Sequence, residues 1–404
     1  MIGIMSLLAV FSLSAGCVPT RGFDSQLKSI LEPYGFSIVG WELNTIAGEI
    51  RQLIFSEEGK IGDETVLVTE YFSLVEQIRT LKSEVKAINA GNEQNDPTTL
   101  GAHLDVLEEQ RAALAEMVEV VLKKQIKETL AQLGIFNPID KYIGFKVSFP
   151  PLNFKLEKPP YLLVISPRDR IESIREITLK QDTTLEEMED IEAKVDKLGV
   201  SSLVVPLGGM ASYPSFVTYN ASLRFAIDTA TEEWVHQYLT FTPLGFLYVL
   251  DITGVSQNYE IATMNETLAS MVSKEVGSIM CEKYYDGREG GDNQAPATES
   301  EFDFNREMRE IRRAVDRYLV QGEIEWAEEF MEQKQQYLAS KGYYIRKLNQ
   351  AYFAFYGTYA DSPTSISSIG IELKELRNQS ASLVNFLNTV AVMTSRHDLR
   401  ESIK

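Results

Sequence analysis

A stripe of apolar residues between positions 67 and 88 sets the strongest limit on what this chain can fold into. Its steps alternate between four and three residues without a miss, which is the pattern of a coiled-coil-like helix. The stripe consists of Leu67, Tyr71, Leu74, Ile78, Leu81, Val85 and Ile88. The polar segment "NAGNEQNDPTT" follows and predicts a turn. A second long helix is predicted over 99–133, so the two form an antiparallel helical hairpin.

The stripe of the second helix is interrupted at two polar positions, Arg111 and Gln125. Its apolar members are Leu100, Leu104, Leu107, Leu114, Val118 and Val121. Packing between the two helices accounts for both stripes. The hairpin is therefore interpreted as a support for the rest of the chain rather than as a site of chemistry.

The remainder predicts a mainly α protein with a small β component (α+β). A strand is predicted over 200–217, and helices over 220–239 and 265–285. The last hundred residues are predicted to be helical, including one helix at "YYIRKLNQAYFAFY" and one long final helix at "ELKELRNQSASLVNFLNTVAVMTS". With 404 residues, the chain is long enough for two or three domains. The predicted units are a signal segment (1–17), an N-terminal helical domain (18–133), a central strand plus two-helix core (134–285), a linker (286–300) and a C-terminal helical domain (301–404).

The charge balance argues against one class of partner. The chain has 39 basic and 58 acidic residues, a formal net charge of −19. A field of this sign repels phosphate backbones, and no basic stripe offsets it. Nucleic acid is therefore not expected as a partner.

The N-terminal segment "MIGIMSLLAVFSLSAGC" is uncharged and apolar and ends in small residues. A short apolar run before small residues is typical of a secretory signal. The final "LSAGC" resembles the bacterial lipobox, which implies that Cys17 carries a lipid anchor. The expected location is extracytoplasmic, with the protein attached to a membrane at its N-terminus. The alternative interpretation is a buried or membrane-spanning N-terminal helix, for which the run is short.

The segment "TEEWVHQYL" (231–239) is close to the zinc-binding motif H-E-x-x-H. Residues i and i+4 of a helix lie on one face, so Glu232 and His236 point the same way, one turn apart. In the motif, these two positions hold the metal, and the glutamate after the first takes a proton from the water on the metal. Glu232 and His236 are therefore candidate metal ligands, and Glu233 is the candidate catalytic base.

Two further segments flank this helix at suitable distances. One is "VVPLGGMASYP" (204–214), a strand candidate shortly upstream of the helix. The other, "TMNETLAS" (263–270), has an Asn-Glu pair followed by small residues, and the spacing from His236 to Glu266 fits a helix–loop–helix connection. The strand, the E-E-x-x-H helix and the N-E helix, in this order, resemble the gluzincins, the thermolysin-like clan of zinc metallopeptidases. The resemblance covers about residues 200–285.

The resemblance implies a role for each segment. Glu266 is the third metal ligand, and the strand pairs with a bound peptide by β-augmentation. A tyrosine of the following helical region, Tyr356 or Tyr359, stabilises the oxyanion. The implied substrate-binding residues are Gly208, Gly209, Met210 and Ala211. Ala211 and Ser212 stand where the G-x-M-E-N strand of zinc aminopeptidases has Glu-Asn, so strict aminopeptidase specificity is not implied.

Three functions are consistent with these features. The first is a membrane-anchored, zinc-dependent metallopeptidase acting on a peptide or protein. Because Glu232 adds negative charge and lowers the Lewis acidity of the metal, the cofactor is zinc, another divalent metal, or none. The second is a pseudopeptidase that binds peptides or partners without hydrolysis. The third is a structural helical lipoprotein in which His236 is a core histidine, the glutamates are a solvated face, Gly208-Gly209 is a strand bulge and the tyrosines pack in a core.

Overall fold

The computed structural model describes residues 21–37, 41, 64–89, 97–138, 146–285, 302–360, 362 and 364–403. Across these ranges the chain is mainly α-helical with two small sheets, which confirms the predicted fold class. The signal segment with Cys17 and the linker 286–300 lie outside the described residues.

Thirteen α-helices and six strands are present in the described ranges. The helices are α1 (Arg21–Leu31), α2 (Glu64–Asn89), α3 (Pro97–Gln132), α4 (Leu185–Asp196), α5 (Leu223–Leu239), α6 (Pro243–Ile252), α7 (Tyr259–Tyr284), α8 (Phe304–Val320), α9 (Ile324–Ser340), α10 (Gln350–Tyr356), α11 (Ile369–Gln379), α12 (Leu383–Ala391) and α13 (Arg396–Ser402). The strands are β1 (Phe154–Leu156), β2 (Tyr161–Pro167), β3 (Arg175–Leu179), β4 (Val200–Pro206), β5 (Gly209–Met210) and β6 (Ser215–Val217).

Helices α2 and α3 form the predicted long hairpin. Tyr71 and Val75 of α2 and Val118 and Leu122 of α3 lie in one buried cluster. The hairpin does not stand apart from the rest of the chain, because the same cluster continues into α5, α7, α11 and α12. Burial of these apolar faces is the main favourable term holding the helices together.

The strand predicted over 200–217 is three strands in two sheets. β4 pairs antiparallel with β2 in a sheet of order β3-β2-β4. β5 and β6 form a short antiparallel pair in a second sheet of order β1-β6-β5, where β6 also runs parallel to β1. Pro206 ends the edge strand β4, a position that suits a residue without an N–H. The single-strand prediction was wrong because the chain leaves one sheet after Pro206 and enters the other at Gly209.

Two predictions for the C-terminal region were wrong in extent. The helix at "YYIRKLNQAYFAFY" begins only at Gln350, because the Asn349 side chain caps it by accepting a hydrogen bond from the Tyr352 N–H at 2.9 Å. The long final helix, predicted over residues 372–395, is two helices, α11 and α12, and α13 follows it. Ser382 and Ser395 each cap a new helix, and serine side chains compete with the backbone bonds of a continuous one.

Helix α6 lies within the connection between α5 and α7, where no helix is predicted from the sequence. Thr242 caps it, accepting from the Gly245 N–H, and Pro243 occupies the first turn. A capping Thr followed by Pro is a helix start signal. This helix brings Tyr248 towards α7.

The inner helices of the fold share one apolar core. It contains Trp234 of α5, Leu268 of α7, Leu373 of α11 and Phe386 of α12. Among the residues that the structure describes, no helix is both long and apolar enough to cross a membrane. The core therefore holds α5 and α7 side by side, and these two helices carry the candidate metal ligands.

Candidate metal centre

Helices α5 and α7 cross at very short range. A Cβ added to Gly277 of α7 would lie 1.8 Å from Oδ1 of Asp228 on α5, so only glycine fits there. Asp228 is held by Arg224, whose Nε lies 2.8 Å from the same oxygen, and Arg224 also donates to the Lys274 carbonyl at 2.6 Å. This polar clamp fixes α5 against α7 on the N-terminal side of the candidate metal ligands of α5.

The crossing brings Glu232, His236 and Glu266 together. One ligand atom from each residue lies within 4.8 Å of the other two. Nε2 of His236 is 3.6 Å from Oε2 of Glu266. Ligands about 2.1 Å from a tetrahedral zinc ion are about 3.4 Å apart, so this pair already has nearly the required separation. The chain thus has a Glu–His–Glu group close enough to hold a metal ion.

Side chains around the ligands orient them. Nδ1 of His236 is 2.9 Å from Oδ1 of the buried Asn265, an oxygen that can only accept. The N–H of Nδ1 donates to this oxygen, and the bond directs Nε2 towards Glu266. The Tyr248 hydroxyl donates to Oε1 of Glu266, leaving Oε2 to face His236. Partners of this kind fix the tautomer and direction of metal-binding side chains.

Glu233 lies beside the ligands and against the second sheet. Burial, followed by the charges of Glu232 and Glu266, raises its pKa well above the usual range. A Cβ on Gly209 of β5 would lie 2.5 Å from Oε1 of Glu233 and 2.4 Å from Cγ2 of Thr229. Glycine at this position therefore lets the strand backbone pass directly over the candidate base.

Strand β5 is an edge strand, and among the described residues it pairs with β6 alone. Gly208 lies over the Phe225 ring, and Ala211 just beyond the strand is exposed. The turn after β5 is tied to α5, because Nε2 of Gln237 donates to the Ser212 carbonyl at 2.7 Å. A free strand edge held beside a carboxylate can pair with an extended peptide.

The two candidate tyrosines lie in different places. The negative charge of Glu266, then burial and the charges of Glu232 and Glu233, raise the pKa of Tyr359 well above its usual value. Tyr359 therefore lies within electrostatic range of all three site glutamates. Tyr356 packs over the sheet that contains β2 and β4, with its ring 4.6 Å from that of Tyr352. Burial raises the pKa of Tyr356, and the charge of Arg346 offsets only part of this increase. None of the three site glutamates contributes to the shift.

Further negative charge lies near the metal ligands. Glu176 on β3 and Asp251 on α6 both have raised pKa values, caused first by desolvation and in part by the charge of Glu266. Neither residue was identified from the sequence, nor were the roles of Tyr248 and Asn265. The capping Thr242 and the following Pro243 could have revealed α6, and with it Tyr248 and Asp251.

Comparison of the chain with known protein families, with curated proteins and with solved structures found no match. The geometry of the site is therefore the only basis for assigning its function.

Proposed function

We propose that this protein is a zinc-dependent metallopeptidase, with the metal held by Glu232, His236 and Glu266. The observation that carries the proposal is the convergence of these three side chains beside the Glu233 carboxylate. The oriented imidazole and the Tyr248 contact to Glu266 support it. A core histidine would also need a partner for Nδ1, so the feature that favours a metal is the pair of carboxylates that converge with Nε2.

The donor set suits zinc, which binds nitrogen and carboxylate oxygen at about 2.0–2.2 Å. Three protein ligands leave a fourth position open, as in catalytic zinc sites. A zinc ion held by these residues would supply a Lewis acid that activates water and polarises a carbonyl group. The carboxylates also explain why a cation is needed: Glu232, Glu233 and Glu266 repel one another in its absence.

The remaining residues act directly on the substrate. Glu233 accepts a proton from the attacking water, because its carboxylate lies beside Glu232 and Glu266 and against strand β5. A peptide adds to the free edge of β5, so its scissile carbonyl comes to lie near Glu233. Tyr359, protonated because of its raised pKa, donates a hydrogen bond to the developing oxyanion.

The proposal includes location and partners. The apolar segment ending in "LSAGC" supports a lipid anchor on Cys17 and an extracytoplasmic, membrane-attached protein. The substrate is then a peptide or protein outside the cytoplasm. Mass spectrometry of the N-terminal peptide from membranes tests the anchor; an unmodified Cys17 would contradict it.

Hydrolysis of a mixed peptide library by the purified protein tests the activity. Zinc-loaded wild type should cleave peptides, and Glu233→Gln should bind zinc equally but lose at least about 100-fold in rate. Tyr359→Phe should lower kcat more than it raises KM, while Tyr356→Phe serves as its matched control. Equal cleavage by wild type and Glu233→Gln would refute the mechanism.

A second function is favoured by one observation, the glutamate at the position of the first histidine in H-E-x-x-H. In this alternative the protein is a pseudopeptidase that binds peptides along β5 without cleaving them. Peptides retained by zinc-loaded wild type and recovered intact would support this function and exclude the peptidase.

A further inference from the structure

A cavity lies between the helical hairpin and the end of β1. Helices α2 and α3 form one wall, and the segment from Leu156 to Lys158 forms the other. Its volume is about 320 Å³, at the lower end of the range for small-molecule sites. The exposed Ala112 lies at its edge and opens it to solvent.

Two polar groups on the cavity wall have no hydrogen-bond partner. The Tyr71 hydroxyl is buried and unpartnered, and so is Nε of Arg111, within the described part of the chain. Tyr71 itself is 0% exposed. The Arg111 guanidinium lies 4.1 Å from the centre of the Tyr219 ring. Buried donors normally have partners, and leaving one unpaired costs stability, so the two groups point to a missing ligand.

The same two residues stand out in the sequence. Tyr71 occupies a position of the apolar stripe in α2, and Arg111 interrupts the stripe in α3. The contact with the Tyr219 ring stabilises the Arg111 guanidinium but leaves its Nε without an acceptor. A bound anion would supply that acceptor.

The chemistry of the cavity defines this anion. Burial raises the pKa of Tyr71, so its hydroxyl keeps the proton and can donate. A planar guanidinium with a neighbouring hydroxyl matches the two oxygens of a carboxylate. Ala115 and Leu156 add an apolar wall. Glu157 supplies one negative charge on the same cavity, where it accepts hydrogen bonds from Trp41 and Gln181, both at 3.3 Å.

We propose that this cavity binds a small aliphatic α-amino acid. The carboxylate lies between the Arg111 guanidinium and the Tyr71 hydroxyl, the ammonium group faces Glu157, and the aliphatic side chain contacts Ala115 and Leu156. The site is separate from the metal centre and does not depend on peptidase activity.

Isothermal titration of the full chain tests each part of the ligand. The probes are L-leucine with its shorter homologues L-valine and L-alanine, L-leucinamide, which lacks the carboxylate, and 4-methylpentanoate, which lacks the amine. At least one amino acid should bind with 1:1 stoichiometry, its amide at least about tenfold more weakly, and 4-methylpentanoate in between. Arg111→Met should weaken amino-acid binding at least about tenfold, and the surface variant Arg79→Met should not.

Tyr71→Phe separates a binding role from a structural one. Removing an unpaired buried hydroxyl should raise the melting temperature of the free protein while weakening amino-acid binding. A tyrosine with a purely structural role would change the melting temperature and leave binding unaffected. The proposal is overturned if none of the three amino acids binds at millimolar concentration, or if Arg111→Met binds them as well as wild type.

Discussion

Glu233→Gln should make the metal-free protein more stable, although it removes the candidate catalytic base. Glu233 has a raised pKa because it is desolvated beside Glu232 and Glu266. An ionised Glu233 therefore destabilises the folded protein at neutral pH, and glutamine has the same shape without the charge.

The size of the effect follows from proton binding. Each pH unit between the unfolded and folded pKa values is worth about 1.4 kcal/mol. The interval from the ordinary pKa of 4.5 to pH 7 is about 2.5 pH units. A buried carboxyl takes up a proton when keeping its charge would cost more than this interval is worth, so the folding free energy lost through Glu233 at pH 7 is at most about 3.5 kcal/mol. Because the pKa is raised on folding, the folded state binds more protons than the unfolded state in this window, and wild-type stability falls as pH rises. The advantage of Glu233→Gln should grow from near zero at about pH 4.5 to about 1–3 kcal/mol at pH 7.

Urea denaturation in EDTA, at several pH values from mildly acidic to neutral, measures this difference. Glu109→Gln, on the exposed side of α3, is the matched control and should show no such trend. Zinc should shrink the difference, since a cation offsets the repulsion. If Glu233→Gln is no more stable than wild type at pH 7, or if its advantage does not depend on pH, Glu233 does not belong to a desolvated carboxylate group.

Three further predictions concern the affinity for zinc, the contact between Gly209 and Glu233, and the protons released when zinc binds. Asn265→Ala removes the hydrogen bond to Nδ1 of His236 and should weaken zinc about 10–100-fold in chelator competition; unchanged affinity would mean that the histidine is oriented in another way. Gly209→Ala pushes on Oε1 of Glu233 and should lower kcat/KM about 100-fold with zinc content unchanged; Gly101→Ala, where the added Cβ meets no atom within 4 Å, is the control and should leave kcat/KM unchanged. Zinc binding should release protons, seen by titration calorimetry in two buffers, and should weaken as pH falls, because protons compete for the ligands; a heat independent of the buffer would contradict this.

The parts of the fold governed by local periodicity could be predicted from sequence. The α2–α3 hairpin follows from the four-and-three spacing of its apolar residues, and helix periodicity alone places Glu232 and His236 on one face of α5. The meeting of this face with Glu266 required more than periodicity. It depends on the close crossing at Gly277, which no local pattern specifies.

Competition between local signals accounts for the errors. The run through 200–217 reads as one extended segment, so nothing in its composition shows that the chain moves from one sheet to another between Pro206 and Gly209. In the C-terminal region, the predicted helix continues through Ser382, but the side chain of this serine caps a new helix instead. Ser382 is visible in the sequence, and its capping role is decided only by the packing of α11 and α12.

The candidate tyrosines show the same limit at the site. Tyr356 and Tyr359 are close neighbours in the chain, and sequence alone does not separate them. Helix α10 ends at Tyr356, whose ring stays on the sheet, whereas Tyr359 follows in a turn that approaches α7. The nearby Ala360 N–H donates to Thr267 of α7 at 3.1 Å, which holds this turn next to Glu266.

Metal content is the most direct test of the central claim. Protein lacking the segment 1–17 is loaded with zinc, dialysed against metal-free buffer and measured by inductively coupled plasma mass spectrometry, with Glu266→Gln and His236→Ala alongside. One zinc ion per chain is expected in the wild type and far less than one in each variant, with wild type and variants all remaining folded by circular dichroism. Wild-type protein without stoichiometric zinc, or variants that retain it, would contradict the assignment of Glu232, His236 and Glu266 as a metal centre.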